Sequence, residues 1–143
     1  MAISSAICTS FKVELLKGVH NFTAGQDTFN IALYAGATAS LGAGTTAYTT
    51  TGEVSGTGYS AKGQALSSVT PTSTGTTAVV DFADETFSTA TITASGCLIF
   101  NDTAAGDPAV AAISFGGSKT STAGDFTIVF PSPTSTGAII RLA

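Results

Sequence analysis

Residues 91–100, Thr-Ile-Thr-Ala-Ser-Gly-Cys-Leu-Ile-Phe, are the stretch of this sequence that decides its fold. It is the strongest strand candidate in the sequence. The second half, residues 96–100, is apolar throughout, as in strands that are covered on both faces. The stretch therefore predicts a central β-strand.

The residues that follow predict a partner for this strand. Residues 101–108 are rich in Asn, Asp and Gly and end in Pro, a composition typical of a turn. We therefore expect residues 109–115 to pair antiparallel with residues 91–100. Gly116 and Gly117 then predict that the chain turns again.

Two further strands are predicted at the C-terminal end. Residues 125–130 place Phe126, Ile128 and Phe130 at alternate positions, and Pro131 and Pro133 end that pattern. The apolar residues of 138–142 predict the last strand.

On the N-terminal side, residues 29–34 alternate in the same way and predict a half-buried strand. Residues 65–69 predict a weak strand that Pro71 ends, and residues 77–82 predict a stronger one. Short strands spaced by about a dozen residues, with Gly, Pro, Asn and Asp between them, are typical of all-β domains. We expect one all-β, mainly antiparallel domain over residues 1–143, and the alternation leaves a β-sandwich and a small barrel open.

One short helix is expected over residues 10–18. Thr9 or Ser10 is a suitable N-cap and Gly18 a suitable stop. Cys8, Phe11 and Leu15 recur at helical spacing, although alternate residues of the same segment also fit a strand.

Two segments are expected to contact partners. Residues 1–5 would form an N-terminal arm. Residues 35–61 are rich in Gly, Ala and Thr, and a loop of this length is uncommon in a compact domain. This predicts an extended loop that lies on a partner molecule.

The composition points to an assembly. Charged residues make up 10% of the 143 residues, against about a quarter in ordinary soluble domains. A surface with so few charges indicates that neighbouring molecules cover it. The formal net charge of −4, with five scattered basic residues, argues against binding to nucleic acid.

The start of the chain lacks the basic and apolar pattern of a signal peptide, and no apolar run is long enough for a membrane. We therefore expect synthesis in the cytoplasm and no membrane partner. Cys8 and Cys97 are then expected to be buried free thiols, with a single bridge between them as the alternative.

The sequence predicts no catalytic, cofactor-binding or metal-binding residue, and so a protein that is not an enzyme. His20 lies near no nucleophile motif and is interpreted as a histidine at a helix end. Two loops are weak candidates for calcium, but neither has EF-hand spacing, so turn carboxylates are the favoured interpretation. Their residues are Asn101, Asp102 and Asp107 in one loop, and Asp81, Asp84 and Glu85 in the other.

Adjacent strand residues point to opposite faces, so Asp84 and Glu85 do not form a catalytic pair. The aromatic residues are mostly Phe and are interpreted as core. Tyr34, Tyr48 and Tyr59 show no spacing typical of a sugar-binding site.

Four stretches resemble a family of small virion proteins of tailed bacteriophages. They are Ser-Phe-Lys-Val-Glu-Leu-Leu-Lys-Gly-Val-His-Asn-Phe at 10–22, Thr-Phe-Asn-Ile-Ala-Leu-Tyr at 28–34, Gly-Glu-Val-Ser-Gly-Thr-Gly-Tyr at 52–59 and Thr-Ser-Thr-Ala-Gly-Asp-Phe at 120–126. The resemblance extends over most of the chain. It is to capsid decoration (cement) proteins, and it implies a β-rich domain on the outside of the head that ties neighbouring major capsid protein subunits together.

The resemblance implies two partners, the major capsid protein and copies of the chain itself, in a trimer or another small cyclic oligomer. It implies a location on the capsid exterior of the virion after synthesis in the host bacterium. A tail-fibre, host-binding, tail or neck protein of the virion is the alternative.

Overall fold

The computed structural model describes residues 2–143, apart from the side chains of Ser68 and Val69. The apolar stretch of the sequence lies in strand β6 (Glu85–Asn101), the third strand of a five-stranded sheet ordered β1-β7-β6-β2-β3. The other strands are β1 (Ala6–Ile7), β2 (Phe29–Tyr34), β3 (Gln64–Ala65) and β7 (Ala109–Ile128). All neighbours pair antiparallel. The prediction of a central, doubly covered strand is confirmed, since Cys97, Leu98, Ile99 and Phe100 are fully buried.

Strands β6 and β7 form a hairpin of 17 and 20 residues, longer than predicted. The prediction that Gly116 and Gly117 turn the chain is wrong, because both lie inside β7. The pairing passes from Ala94↔Lys119 to Gly96↔Ser114, so residues 115–118 lie opposite Ser95 alone and form a bulge. The two glycines supply the positive φ values, 77° and 156°, that this bulge uses.

Strand β2 has the predicted bounds, but the prediction that it is half-buried is wrong, since all six residues are buried. Residues of the following loop cover its second face. The Tyr34 hydroxyl donates to the Thr49 carbonyl at 2.7 Å, and the Val54 N–H donates to the Leu33 carbonyl at 3.0 Å.

A second sheet, ordered β4-β5-β8, contains β4 (Ser68–Thr74), β5 (Thr77–Phe82) and β8 (Ile140–Leu142). The prediction that Pro71 ends a strand is wrong. Strand β4 lies at the edge and its pairing shifts between Val69 and Thr72, so the missing N–H of Pro71 removes no ladder bond there.

The two sheets share one apolar core, in which the rings of Phe29 on β2 and Phe82 on β5 lie 6.0 Å apart. The fold is therefore all-β with one short helix, as predicted. The described strands form two separate sheets, an arrangement that is consistent with a β-sandwich.

Helix α1 (Thr9–Leu16) packs its Phe11 side chain into the core. Its N-cap is Cys8 and not Thr9 or Ser10, and none of the described side chains caps it. The predicted stop is confirmed: Gly18 has a φ of 73°, and the Gly18 and Val19 N–H groups bond the Leu15 and Glu14 carbonyls. These two bonds form a Schellman motif.

Candidate docking surface

Hydroxyl side chains line the exposed face of the β6–β7 hairpin. Along β6, exposed Ser88, Thr91 and Thr93 alternate with buried apolar residues, which are Phe87, Ala90, Ile92 and Ala94. The period of two follows from the strand pleat, which points successive side chains to opposite faces. One face therefore belongs to the core, and the other presents hydroxyl groups to solvent.

Six of these residues pair across the two strands, and we call them the hydroxyl face. The paired oxygens lie 2.9–3.1 Å apart, and the pairs are Thr86–Thr127, Thr93–Thr120 and Ser95–Ser118. Each hydroxyl has one donor and two acceptor sites, so pairing leaves hydrogen-bonding capacity free for a partner molecule. The pairing also fixes the side chains in place before any partner binds.

The hydroxyl face is almost free of charge. The two segments that form it, residues 86–95 and 118–127, contain two charged residues, Lys119 and Asp125. A shallow groove of about 440 Å³ separates Thr93 and Thr120 from loop residues Val54 and Ser55. The loop after β2 therefore borders this face along β6.

The edge of β7 is irregular where the hydroxyl face lies. Strand β1 pairs only with Ala111 and Ala112 of β7, so the rest of this edge has no strand beside it among the described residues. The β6–β7 pairing shifts register four times, and Thr89 and Ala123 have positive φ values of 50° and 48°. Bulges hinder the addition of another strand. A partner molecule can therefore bind the face of the hairpin more readily than its edge.

The predicted N-terminal arm lies against its own domain. Ile3 pairs with Leu41, the Ser4 N–H donates to the Leu41 carbonyl at 2.9 Å, and the Ser114 N–H donates to the Ser5 hydroxyl at 2.9 Å. Met1 lies outside the described residues. Ala2, Ser4 and Ser5 are exposed, so the arm stays a predicted contact.

The loop over residues 35–61 is folded onto the sheet and is not extended. Its Ala39 and Leu41 are buried, and its backbone bonds to the sheet at several points, including Ala109 N–H to the Thr46 carbonyl at 3.0 Å. It therefore needs no partner molecule to hold it. This corrects the expectation of an extended segment.

Glu53 is the residue that organises this loop, and sequence reasoning missed it. Its carboxylate accepts hydrogen bonds from the Tyr48 hydroxyl, from the Tyr59 hydroxyl at 2.7 Å and from the Lys62 N–H at 2.8 Å. The Tyr59 oxygen also accepts from the Leu33 N–H at 2.9 Å. Burial raises the pKa of Tyr48 to about 12 and that of Tyr59 further, so both stay protonated and act as structural donors.

The candidate calcium carboxylates Asp102 and Asp107 hold a lysine instead. The Lys62 ammonium lies 2.9 Å from Asp102 Oδ1 and 2.8 Å from Asp107 Oδ2. The hydrogen bonds to Asp107 and Asp102 raise the pKa of Lys62. Asn101 is used elsewhere: its Oδ1 accepts from the Thr103 and Ala104 N–H groups and shapes the turn. The ammonium thus supplies the positive charge that these carboxylates need.

His20 lies in a buried polar chain. Asn101 Nδ2 donates to Asp27 at 2.8 Å and lies 3.2 Å from His20 Nδ1, and His20 Nε2 lies 3.7 Å from Glu14 Oε1. An acceptor role for Nδ1 toward Asn101 places the proton on Nε2. Burial lowers the pKa of His20, against the opposing effect of Glu14. The arrangement joins α1 to the end of β6.

The second acidic loop does not gather its carboxylates. Asp84 accepts the Phe130 N–H at 2.8 Å, while Asp81 is buried and accepts the Phe82 N–H at 2.9 Å through Oδ1. Asp81 Oδ2 has no hydrogen-bond partner among the described residues, and burial raises the pKa of Asp81 and of Glu85. No group of three potential metal ligands occurs among the described residues.

Cys8 and Cys97 are both free and buried, as the favoured prediction had it. Burial raises the pKa of Cys8 to about 11 and that of Cys97 to about 12. Thiols with such values are poor nucleophiles at neutral pH. The two residues therefore act as small apolar side chains.

Comparison of the chain with protein-family models, with curated proteins and with solved structures found no match. Within residues 2–143, no helix is long and apolar enough to cross a membrane.

Proposed function

We propose that this chain is a non-enzymatic capsid decoration protein of a tailed bacteriophage. It would bind the outer surface of the head and stabilise contacts between major capsid protein subunits. The observation that supports this best is the hydroxyl face, an ordered and nearly uncharged surface on a long hairpin. The resemblance of the sequence to virion proteins supplies the context.

A hydroxyl face suits attachment to a protein shell for a physical reason. Burial of a charge at an interface has a large desolvation penalty, whereas a hydroxyl group that finds a hydrogen-bond partner has a small one. Because the three pairs already order their side chains, little rotamer freedom is lost on binding. Each contact is weak, but the symmetry of a capsid repeats it many times.

The role of the hydroxyl face is tested by removal of two hydroxyl groups without a change of shape. We expect Thr93→Val with Thr120→Val to weaken binding to undecorated heads while the melting temperature changes little. Thr72→Val, at an exposed position of β4, is the matched control. Binding is measured by co-sedimentation of the purified protein with heads. Equal binding by the double variant and the control would remove this face from the proposal.

The location is tested by cryo-electron microscopy of the assembled virion. We expect density for this chain repeated over the outer capsid lattice. Density confined to the tail or to a single vertex would overturn the proposal in favour of a tail-fibre, host-binding or neck protein.

A further inference from the structure

The ring of His20 packs between α1 and the aromatic part of the core. Its side chain is fully buried, and its ring centre lies 4.9 Å from that of Phe11 on α1 and 6.1 Å from that of Phe29 on β2. The Phe22 ring centre lies 6.4 Å away. Water therefore does not reach the imidazole in the folded chain, and both ring nitrogens depend on protein partners.

The amide of Asn101 fixes which ring nitrogen carries the proton. Its Oδ1 accepts from the Thr103 and Ala104 N–H groups, so its Nδ2 is the atom that faces Asp27 and His20. An amide nitrogen donates hydrogen bonds and does not accept them. In the neutral ring, Nδ1 of His20 is therefore the acceptor and Nε2 carries the proton.

A second proton on His20 would have no acceptor. It would lie on Nδ1, which then meets the Asn101 amide as one donor facing another. Asp27 Oδ2 already accepts from Asn101 at 2.8 Å and from the Asn21 N–H at 2.9 Å, and none of the described hydrogen bonds joins it to His20. Asn101 cannot turn its amide over without the loss of both bonds to the turn after β6.

Two carboxylates oppose this effect. Among the described residues, the charged groups that act on the ring are Glu14 of α1, 3.7 Å from Nε2, and Asp27 in the segment before β2. Strands β2 and β6 contribute the uncharged Phe29 and Asn101. Nε2 already presents its proton to Glu14 in the neutral ring, so protonation adds no hydrogen bond there. Burial has the larger effect and lowers the pKa of His20.

Helix α1 packs loosely on the side of the second sheet. A cavity of about 290 Å³ lies between them, lined by Phe11, Leu15 and His20 together with Val79 and Leu142 of the sheet. A helix bordered by a cavity has fewer packing contacts to lose when it moves. The contact of His20 with Asn101 is therefore a large part of what holds the end of α1.

We propose that His20 is a pH-sensitive switch that holds α1 to the end of β6 at neutral pH and releases it in acid. The uncharged ring accepts from Asn101 and packs against Phe11. When the ring takes up a second proton it leaves Asn101, and the end of α1 moves away with it. The switch belongs to the isolated chain and does not rest on capsid binding.

The pH range of the switch follows from linkage. Because the folded chain binds the proton less readily than the locally opened chain, acid favours the opened form. The effect begins near the ordinary histidine pKa of 6.5 and ends below the lowered pKa of the folded chain. One linked proton changes the opening equilibrium by up to about tenfold per pH unit.

NMR of the imidazole tests the first step, because His20 is the only histidine of the chain. We expect the ring ¹⁵N shifts at neutral pH to show a proton on Nε2 and none on Nδ1. The ring should titrate below 6.5. A proton on Nδ1 at neutral pH, or titration at or above 6.5, would overturn the proposal.

Amide hydrogen exchange tests the release of α1. The Lys17, Gly18 and Val19 N–H groups close the end of the helix, and their protection should fall by up to about tenfold per pH unit below 6.5. In acid they should exchange at least roughly tenfold faster than Leu98 and Ile99 of β6, because α1 opens without the sheet. Equal protection in α1 and β6 would show that the whole domain unfolds instead.

Two variants separate His20 from other titrating groups. His20→Gln should make the protection of α1 constant between neutral pH and pH of about 5, since the linked proton is gone. Asp81→Asn, which removes a buried carboxyl group on β5, is the control and should keep the pH dependence. The same pH dependence in both variants would contradict the switch.

A further variant tests the conflict of donors if His20→Gln fails to fold by circular dichroism. Asn101→Asp replaces the amide N–H₂ with a carboxylate oxygen, so a proton on Nδ1 gains the acceptor that it lacks. We expect the pKa of His20 to rise above 6.5 in this variant. A ring that still titrates below 6.5 would show that Asn101 does not control it.

Discussion

At the scale of single residues, Glu53 does most to hold the loop after β2. One carboxylate accepts three hydrogen bonds, from two tyrosines and one backbone N–H. The Tyr59 hydroxyl oxygen also accepts a hydrogen bond from the Leu33 N–H, and so links Glu53 to β2. A loop without strands is in this way fixed by side chains.

We expect Glu53→Gln to destabilise the protein by about 1–3 kcal/mol, because an amide N–H₂ then faces a hydroxyl or N–H donor in a half-buried site. Urea unfolding measures the change. Asp125→Asn, at an exposed position on β7, makes the same chemical change and should leave the free energy of unfolding almost unaltered. Equal effects of the two variants would contradict the role given to Glu53.

The buried carboxyl group of Asp81 should make the stability of the protein depend on pH. Burial raises its pKa in the folded chain, so the folded state binds a proton more readily than the unfolded state. The ionised carboxylate therefore lowers stability at neutral pH, and stability rises as pH falls through the folded pKa toward the ordinary carboxyl value. We expect Asp81→Asn to raise the melting temperature at pH 7, with a gain that disappears in acid. A gain that is constant with pH would show that ionisation of Asp81 is not its cause.

At the scale of elements, the close approach of the loop to β2 requires a glycine at position 63. Gly63 has a φ of 65°, and a Cβ atom there would overlap the Ile31 carbonyl oxygen. We expect Gly63→Ala to destabilise the protein by roughly 2–4 kcal/mol. Gly44→Ala, where a Cβ meets no atom within 4 Å, should change stability little. Thermal unfolding compares the two, and similar melting temperatures would refute this account.

The elements that sequence reasoning predicted well are those set by local pattern. The apolar run at 97–100 required a doubly covered strand, and Gly18 ends α1 because its φ is positive. The prediction of a chain turn at Gly116 and Gly117 was wrong because a bulge and a turn both use positive φ angles. The hydroxyl pairs depend on the register of β6 against β7, which bulges shift four times, so no spacing in the sequence predicts them. Glu53 was missed because its partners come together only when the loop folds.

At the scale of the whole molecule, the proposed function predicts an effect on the phage head. A protein that ties capsid subunits together adds binding free energy to the assembled shell and none to separated subunits. We expect heads that lack this chain to release their DNA at a lower temperature, and added purified protein to restore the wild-type temperature. Dye access to DNA during heating measures the release. Identical release temperatures with and without the chain would contradict a stabilising role.

The short and bulged sheet edges have a consequence for the timing of assembly. Strands β1 and β3, which border the larger sheet, are two residues long, and β4 is bulged at Pro71. The uncovered part of β7 is itself bulged, so the described edges offer little regular backbone on which fibrils could grow. Under the proposed function, such a protein could accumulate to high concentration before the capsids that it binds are complete.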